Sequence, residues 1–260
     1  ANANANVNDN ILNSARNRNS VVTEEIEVTS LLTEYLESPL GVDKAVPRVS
    51  WKIQAKTQTQ RQSSNAAAKT HRIRREVFQH SYQLHVSSSP SPNWKDCGWV
   101  ASGETSLVPL ECDALTPIST SDMIVWWKVS VELDDGSIIE SDVASFRTGI
   151  FGPWNAQWIS GWGWDNIEET ERTLFRKEFS LRSADIDPIP DNAGHHHATL
   201  FVAGLGYNHV YLNGVKVGDH HLDPGWTNYT KRVWYTTYDV TSLIRYDDDN
   251  DDDDDNDGSA

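Results

Sequence analysis

The chain predicts an all-β protein, with one antiparallel sandwich followed by a second, partial one. Three observations carry that prediction. Residues 124–146 alternate apolar and polar side chains around an Asp135-Gly136 turn. Residues 198–244 repeat the pattern around Asn213-Gly214. Turn-forming residues also break the chain into short apolar segments, a spacing that favours β-sandwiches over helices.

Taken in order, residues 1–20 are rich in Asn and are expected to be disordered. In residues 21–38 acidic and apolar positions mix, with Val28, Leu31, Leu32, Tyr35 and Leu36 near helical spacing. That stretch fits a short amphipathic helix or a leader strand, and the sequence leaves both open. Residues 1–45 are therefore set apart as a disordered or leader segment.

Residues 46–149 read as the first β domain. Within it, Thr57 to His71 is rich in Gln, Ser, Asn and Ala and reads as a long exposed loop between two strands. Val125, Trp127, Val129, Val131 and Leu133 fall on one face of a strand, the period-2 signature. Asp135-Gly136 then turns the chain into a strand that runs through Phe146. The expected role of this domain is a spacer that fixes its neighbours' geometry.

Residues 150–244 read as the second β domain. Ser183 to His197 looks like an insertion, with two prolines, Gly194 and three histidines. Leu200 and Val202, then Val210 and Leu212, alternate with polar or small neighbours. Asn213-Gly214 supplies the two positive-φ residues of a type I′ hairpin. A loop dense in rings and polar groups follows (Asp223, Pro224, Gly225, Trp226, Tyr229), and Thr236 to Val240 resumes the alternation. Residues 245–260 form an acidic tail, expected to be disordered.

The second domain's motifs resemble the N-terminal β-sandwich of the family 78 glycoside hydrolases, the α-L-rhamnosidases. They are GLGY at 204–207, VYLNGVKVGD at 210–219, LDPGWTNYTKRV at 222–233 and TTYDVTSL at 236–243. Upstream, VPRVSWKI at 46–53, SYQLHV at 81–86, WKDCGWVASGETSLV at 94–108, IVWWKVSVELDDG at 124–136 and ASFRTGI at 144–150 are similar to the family's fibronectin-III-like first domain. WNAQWIS at 154–160 and LFRKEFSL at 174–181 extend the likeness across the joint. Cys97 departs from it, since the family more often has a small hydroxyl residue there.

The resemblance implies a fibronectin-III or immunoglobulin-like sandwich followed by a jelly-roll, here expected to be incomplete because an aspartate run stands where further strands would follow. It also implies an (α/α)6 catalytic barrel as partner and a rhamnosylated glycan or glycoside as substrate. The barrel's acidic residues would cleave terminal α-L-rhamnosyl groups with inversion. In this chain, accordingly, no catalytic residue is expected.

Bulk composition narrows the partners. The formal net charge is −16, but residues 247–257 hold nine aspartates, and the remainder carries only −7. A negative chain lacks the basic footprint that nucleic acid requires. No run of 18 apolar residues marks a membrane span. The first residues carry no apolar h-region of a signal peptide, which leaves the compartment open. Met123 is the only methionine, so the chain reads as processed, excised or incomplete. The aspartate run lacks the fixed turn that a calcium loop uses. His195, His196 and His197 are adjacent and cannot easily converge on one tetrahedral ion, and His220 and His221 are no stronger. No cofactor and no metal site is expected.

Cys97 and Cys112, 15 apart, could face each other across neighbouring strands, but two free buried thiols are the preferred reading. No nucleophile elbow, zinc-protease helix, P-loop or dinucleotide fingerprint appears. Asp165, Glu168, Glu169 and Glu171 cluster near a GWGW motif, but nothing surrounds them with the apolar pocket a protonated catalytic acid needs.

Sugar recognition remains, and aromatic rings stack on apolar sugar faces. Of eleven tryptophans, Trp51, Trp94, Trp126 or Trp127, Trp154 and Trp158 are assigned to core or interface. Trp162 and Trp164, in the glycine-rich GWGW, fit a sugar platform or a docking surface equally. Trp226 and Tyr229 fit a sugar rim or packing against a barrel, with packing preferred for Trp226. Tyr207 joins them from GLGY. Asp223 could accept sugar hydroxyls, though a turn stabilised through its own backbone is preferred. Asn228-Tyr229-Thr230 is a glycosylation sequon, relevant in a secretory pathway. Two other classes fit the same residues, a free-standing carbohydrate-binding module and a structural or adhesive β-sandwich.

Overall fold

The computed structural model describes residues 26–55, 77–88, 93–113, 117–161, 174–181 and 197–245. The Asn-rich start, the Thr57–His71 loop, the GWGW acidic cluster, His195 and His196, and the aspartate tail lie outside the described residues. Twelve strands and one short 3-10 turn, Thr241–Leu243, make up the regular structure among those residues, so the all-β class holds.

The first unit is a two-sheet sandwich. Its smaller sheet has the order β1 (Ile26–Thr33), β2 (Arg48–Ala55), β5 (Val108–Pro109). The larger has the order β4 (Lys95–Val100), β3 (Gln79–Ser87), β6 (Ile124–Leu133), β7 (Ile138–Glu140), and β8 (Ala144–Arg147) also pairs with β6. Every pairing is antiparallel.

The core follows from the alternation read in the sequence. Val125, Trp127, Val129, Val131 and Leu133 of β6 are buried on its inner face. They meet Tyr82, Leu84 and Val86 of β3, Val49 and Trp51 of β2, and Val28 of β1. Buried rings keep their polar handles bonded, as they must in a low-dielectric core. Trp127 Nε1–H donates to Thr33 Oγ1 at 3.0 Å, tying the two sheets together. Trp51 Nε1–H donates to Gln79 Oε1 at 2.9 Å, and its ring meets Tyr82 edge-on at 5.2 Å. These two tryptophans are core, as expected.

Two expectations change here. The ambiguous stretch before residue 46 holds β1, which pairs with β2 from Ile26↔Ala55 to Thr33↔Val49 and buries Val28 and Thr33. Of the two readings left open the strand holds; it mimics helical spacing because it carries a register shift between Thr29 and Leu32, with Ser30 at φ 52°. The sandwich thus starts at or before Ile26, inside the segment set apart as leader. The cysteines, expected as free thiols, form a disulfide. It staples the edge strand β4 to the segment just past β5, across a Cα–Cα distance of 4.7 Å.

Just past β1 lies a charged clamp. Glu34 sits at φ 47°. Its carboxylate accepts from Arg48 N–H (2.7 Å), Arg48 Nη2 (2.7 Å) and Lys44 Nζ (2.7 Å). Burial alone would raise its pKa, but the bonds from Arg48 and Lys44 overcome that and hold it at about 2.

The second unit is more open. Strand β9 (Thr199–Ala203) pairs with β12 (Tyr235–Asp239), and β10 (Tyr211–Leu212) with β11 (Val215–Lys216). The β10–β11 turn is the expected Asn213-Gly214, at φ 51° and 82°. The described apolar side chains that it buries are Val217, Pro224 and Val240.

The units meet where backbone approaches closely. The Ile150 N–H donates to the Tyr235 hydroxyl at 3.2 Å. A Cβ on Gly149 would fall on that hydroxyl, and one on Gly41 would fall on Thr237 Oγ1. Trp154 lies edge-on to the Tyr235 ring at 5.4 Å, an interface position as expected. Trp158 is 65 % exposed rather than core or interface among the described residues.

Candidate functional site

Two loops of the second unit fold onto each other. Residues 204–209 follow β9, and residues 218–234 run from β11 to β12. Glycines permit the approach. A Cβ on Gly204 would press on Asn208 Nδ2 and lie 3.7 Å from Pro224 Cδ. One on Gly218, at φ 69°, would strike the Tyr238 ring, and one on Gly225 would lie 3.0 Å from the Trp234 ring. Asn208 N–H donates to the Asp223 carbonyl at 3.0 Å, closing the pair of loops. The Asp223–Pro224 peptide is cis.

Asp223 is the polar centre. Its Oδ2 lies 2.7 Å from His220 Nδ1 and accepts from the Tyr238 hydroxyl at 3.4 Å. The expected bond to its own backbone is replaced by these two side chains. Burial, and next the Asp223 charge, push the Tyr238 hydroxyl above its usual pKa. A carboxylate, an imidazole and a phenol at a loop surface can accept from and donate to sugar hydroxyls. They do not supply the two opposed carboxyl groups that glycoside hydrolysis requires.

The same two loops carry four further aromatic side chains. Trp226 is 80 % exposed, Tyr207 and Trp234 are exposed, and Tyr229 is half-buried. The structure therefore brings Tyr207, Asp223, Trp226 and Tyr229 onto one pair of loops; Trp162 and Trp164 lie outside the described residues. Sequence reasoning passed over His220 and Tyr238. The i,i+3 spacing of His220 and Asp223 was the available signal.

A second constellation lies on the outer face of the first unit. Ser130 Oγ is 2.8 Å from His85 Nε2, and His85 Nδ1 is 2.7 Å from Asp96 Oδ1. The order matches a nucleophile, base and orienting acid. Ser130 nevertheless sits mid-strand, paired with Gln83 on one side and Glu140 on the other. Its surrounding backbone is committed to the sheet ladder and offers no oxyanion donors. The chain of bonds satisfies a buried histidine.

The described residues form an immunoglobulin-like sandwich followed by a second β unit that carries an aromatic loop pair. Comparison with known proteins gives the family. Residues 28–66 and 69–152 match the model of the Rha78A-like, N-terminal immunoglobulin domain, and residues 194–251 match that of the alpha-L-rhamnosidase N-terminal domain. An alpha-L-rhamnosidase of Alteromonas sp. strain LOR is 30% identical over 240 residues, 86% of this chain and 23% of its own length. One from Formosa agariphila is 29% identical over 236 residues, 87% of this chain and 23% of its own length. Among solved structures, the alpha-L-rhamnosidase from Dictyoglumus thermophilum superposes with a TM-score of 0.57 at 27% identity, covering 85% of this chain and 24% of that one. The enzyme from Aspergillus terreus, at 23% identity and a TM-score of 0.54 over 85% of this chain and 23% of that one, shares the fold. The chain belongs to the α-L-rhamnosidases of glycoside hydrolase family 78, as their N-terminal region. It spans about a quarter of the length of the relatives it matches.

Proposed function

We propose that the chain works as the non-catalytic N-terminal β pair of an α-L-rhamnosidase. The sandwich fixes position, and the open unit braces the (α/α)6 catalytic barrel and presents Tyr207, Asp223, Trp226 and Tyr229 at the rim of a rhamnosylated glycan or glycoside. The observation that supports this is the exposure of Trp226, Tyr207, Leu222 and Trp234 on loops that coincide with family motifs. Large apolar side chains exposed together on one pair of loops are what an interaction surface offers. Hydrolysis belongs, in this reading, to the three-quarters of the relatives' length that the chain does not span.

Two measurements on the chain test it. Incubated with an aryl α-L-rhamnoside, it releases no aglycone; turnover sinks the reading. Titrated with L-rhamnose while tryptophan fluorescence is followed, it shows no saturable change, because the rim is completed by the barrel. Saturable binding would favour a free-standing carbohydrate-binding module instead.

A further inference from the structure

We propose that Asn228 is an N-glycosylation site, modified when the chain passes through an oxidising secretory compartment. The motif is Asn228-Tyr229-Thr230, with no proline between the two functional residues. A sequon by chance is common, so the geometry and a second, unrelated observation carry the weight.

Geometry first. Asn228 and Thr230 are both exposed, on the turn where Lys231 and Arg232 N–H donate to the Asn228 carbonyl. The Thr230 hydroxyl donates to Asn228 Oδ1 at 2.7 Å, and Thr230 N–H donates to the same oxygen at 3.2 Å. Both bonds fall on Oδ1, so they polarise the carboxamide and render its Nδ2 protons more acidic, on a residue that is itself exposed. That is the arrangement an acceptor amide needs.

The second observation is the Cys97–Cys112 disulfide. Disulfides persist in secretory and extracellular compartments and are rare in a reducing cytosol. The compartment that pairs these thiols in eukaryotic cells is also the one that attaches N-linked glycans.

The chemistry balances. Asn228 Nδ2 attacks the anomeric carbon of a polyisoprenyl-diphosphate-linked oligosaccharide. The C–N bond forms as the C–O bond to the diphosphate breaks, and the diphosphate leaves with the electron pair. A base of the transferase takes one Nδ2 proton. Separately, the two thiols give up two protons and two electrons to a disulfide-carrying oxidant of the same compartment.

Secretion of the whole chain from a eukaryotic cell tests use of the sequon and pairing of the thiols by intact mass and peptide mapping. Expected are one peptide-N-glycosidase-sensitive glycan at residue 228, converted to Asp on release, and no free thiol. Asn228→Asp keeps the oxygen that Thr230 bonds, so it preserves the turn, and it abolishes the glycan. T230V removes only the hydroxyl and abolishes it too, whereas T230S retains it. Unmodified Asn228 in secreted, folded chain overturns the proposal, as does a glycan that survives T230V, or reduced cysteines. The readout is a mass, so it stands or falls independently of any rhamnoside assay.

Discussion

The first unit presses Trp127, Phe146, Leu110 and a run of valines between two sheets, whereas the second keeps Val217, Pro224 and Val240 inside and turns Trp226, Tyr207 and Leu222 outward. Both were built from period-2 strands and Gly-containing turns. What separates them is the number of faces that find a cover. In the sandwich, each inner face has an opposing sheet. Among the described residues of the second unit, the ribbons are two-stranded, and two strands alone are marginal in water. Among the described residues, the first unit covers its own core, whereas the second buries few apolar side chains.

Core truncation breaks that contrast most sharply. Trp127→Ala removes a fully buried ring and orphans Thr33, at a cost of about 3–5 kcal/mol, read by chemical denaturation. Trp226→Ala, in the open unit, shifts stability by no more than about 0.5 kcal/mol. Equal effects would show that the two units share one core.

Cross-linking gives the next largest effect. The Cys97–Cys112 link closes a 15-residue separation, for which loop entropy predicts about 3 kcal/mol. A Cys97→Ala/Cys112→Ala double variant should melt lower by that amount in the sandwich transition, and a reductant should reproduce the loss in the parent chain. An unchanged melting temperature with reductant would show that the staple is thermodynamically idle.

At the joint, Gly149→Ala places a methyl on the Tyr235 hydroxyl. The overpacking costs about 1–3 kcal/mol and displaces Tyr235 from Ile150. Limited proteolysis between residues 150 and 161 should accelerate, and since the methyl also crowds the Gly41 carbonyl, the sandwich should melt slightly lower. Unaltered cleavage would mean that the units do not depend on this contact.

The smallest effect is acid sensitivity of the Glu34 clamp. Its folded pKa is about 2, against an ordinary 4.5. The unfolded state thus takes up the proton first, and stability rises with pH through this window. The shift corresponds to about 3 kcal/mol, which solvent screening reduces to roughly 2 kcal/mol; it is fully present only well above pH 4.5 and is lost as pH falls toward 2. Glu34→Gln should flatten the curve over that range, and an unchanged slope would remove the clamp from the account.

Legibility in the sequence tracked the range of the interactions. The β6 face and the Asn213-Gly214 hairpin were readable because alternation and turn chemistry are local. Strand β1 was readable only as one of two alternatives, because its bulge breaks the period. The disulfide was not readable, since a separation of 15 fits many arrangements until the sheets bring β4 beside the segment after β5. At the loop site, Asp223 and Trp226 stood out by residue type. The Tyr238 partner lies 15 residues on and across a chain reversal, and no spacing rule connects it.

Strand β12 carries both Tyr235, which reaches the sandwich, and Tyr238, which reaches Asp223. Three positions apart on an extended chain, the two phenols point to opposite sides of the ribbon, roughly 10 Å from one another along it. One five-residue strand thus carries, on its two sides, the contact to the sandwich and the contact to the loop site.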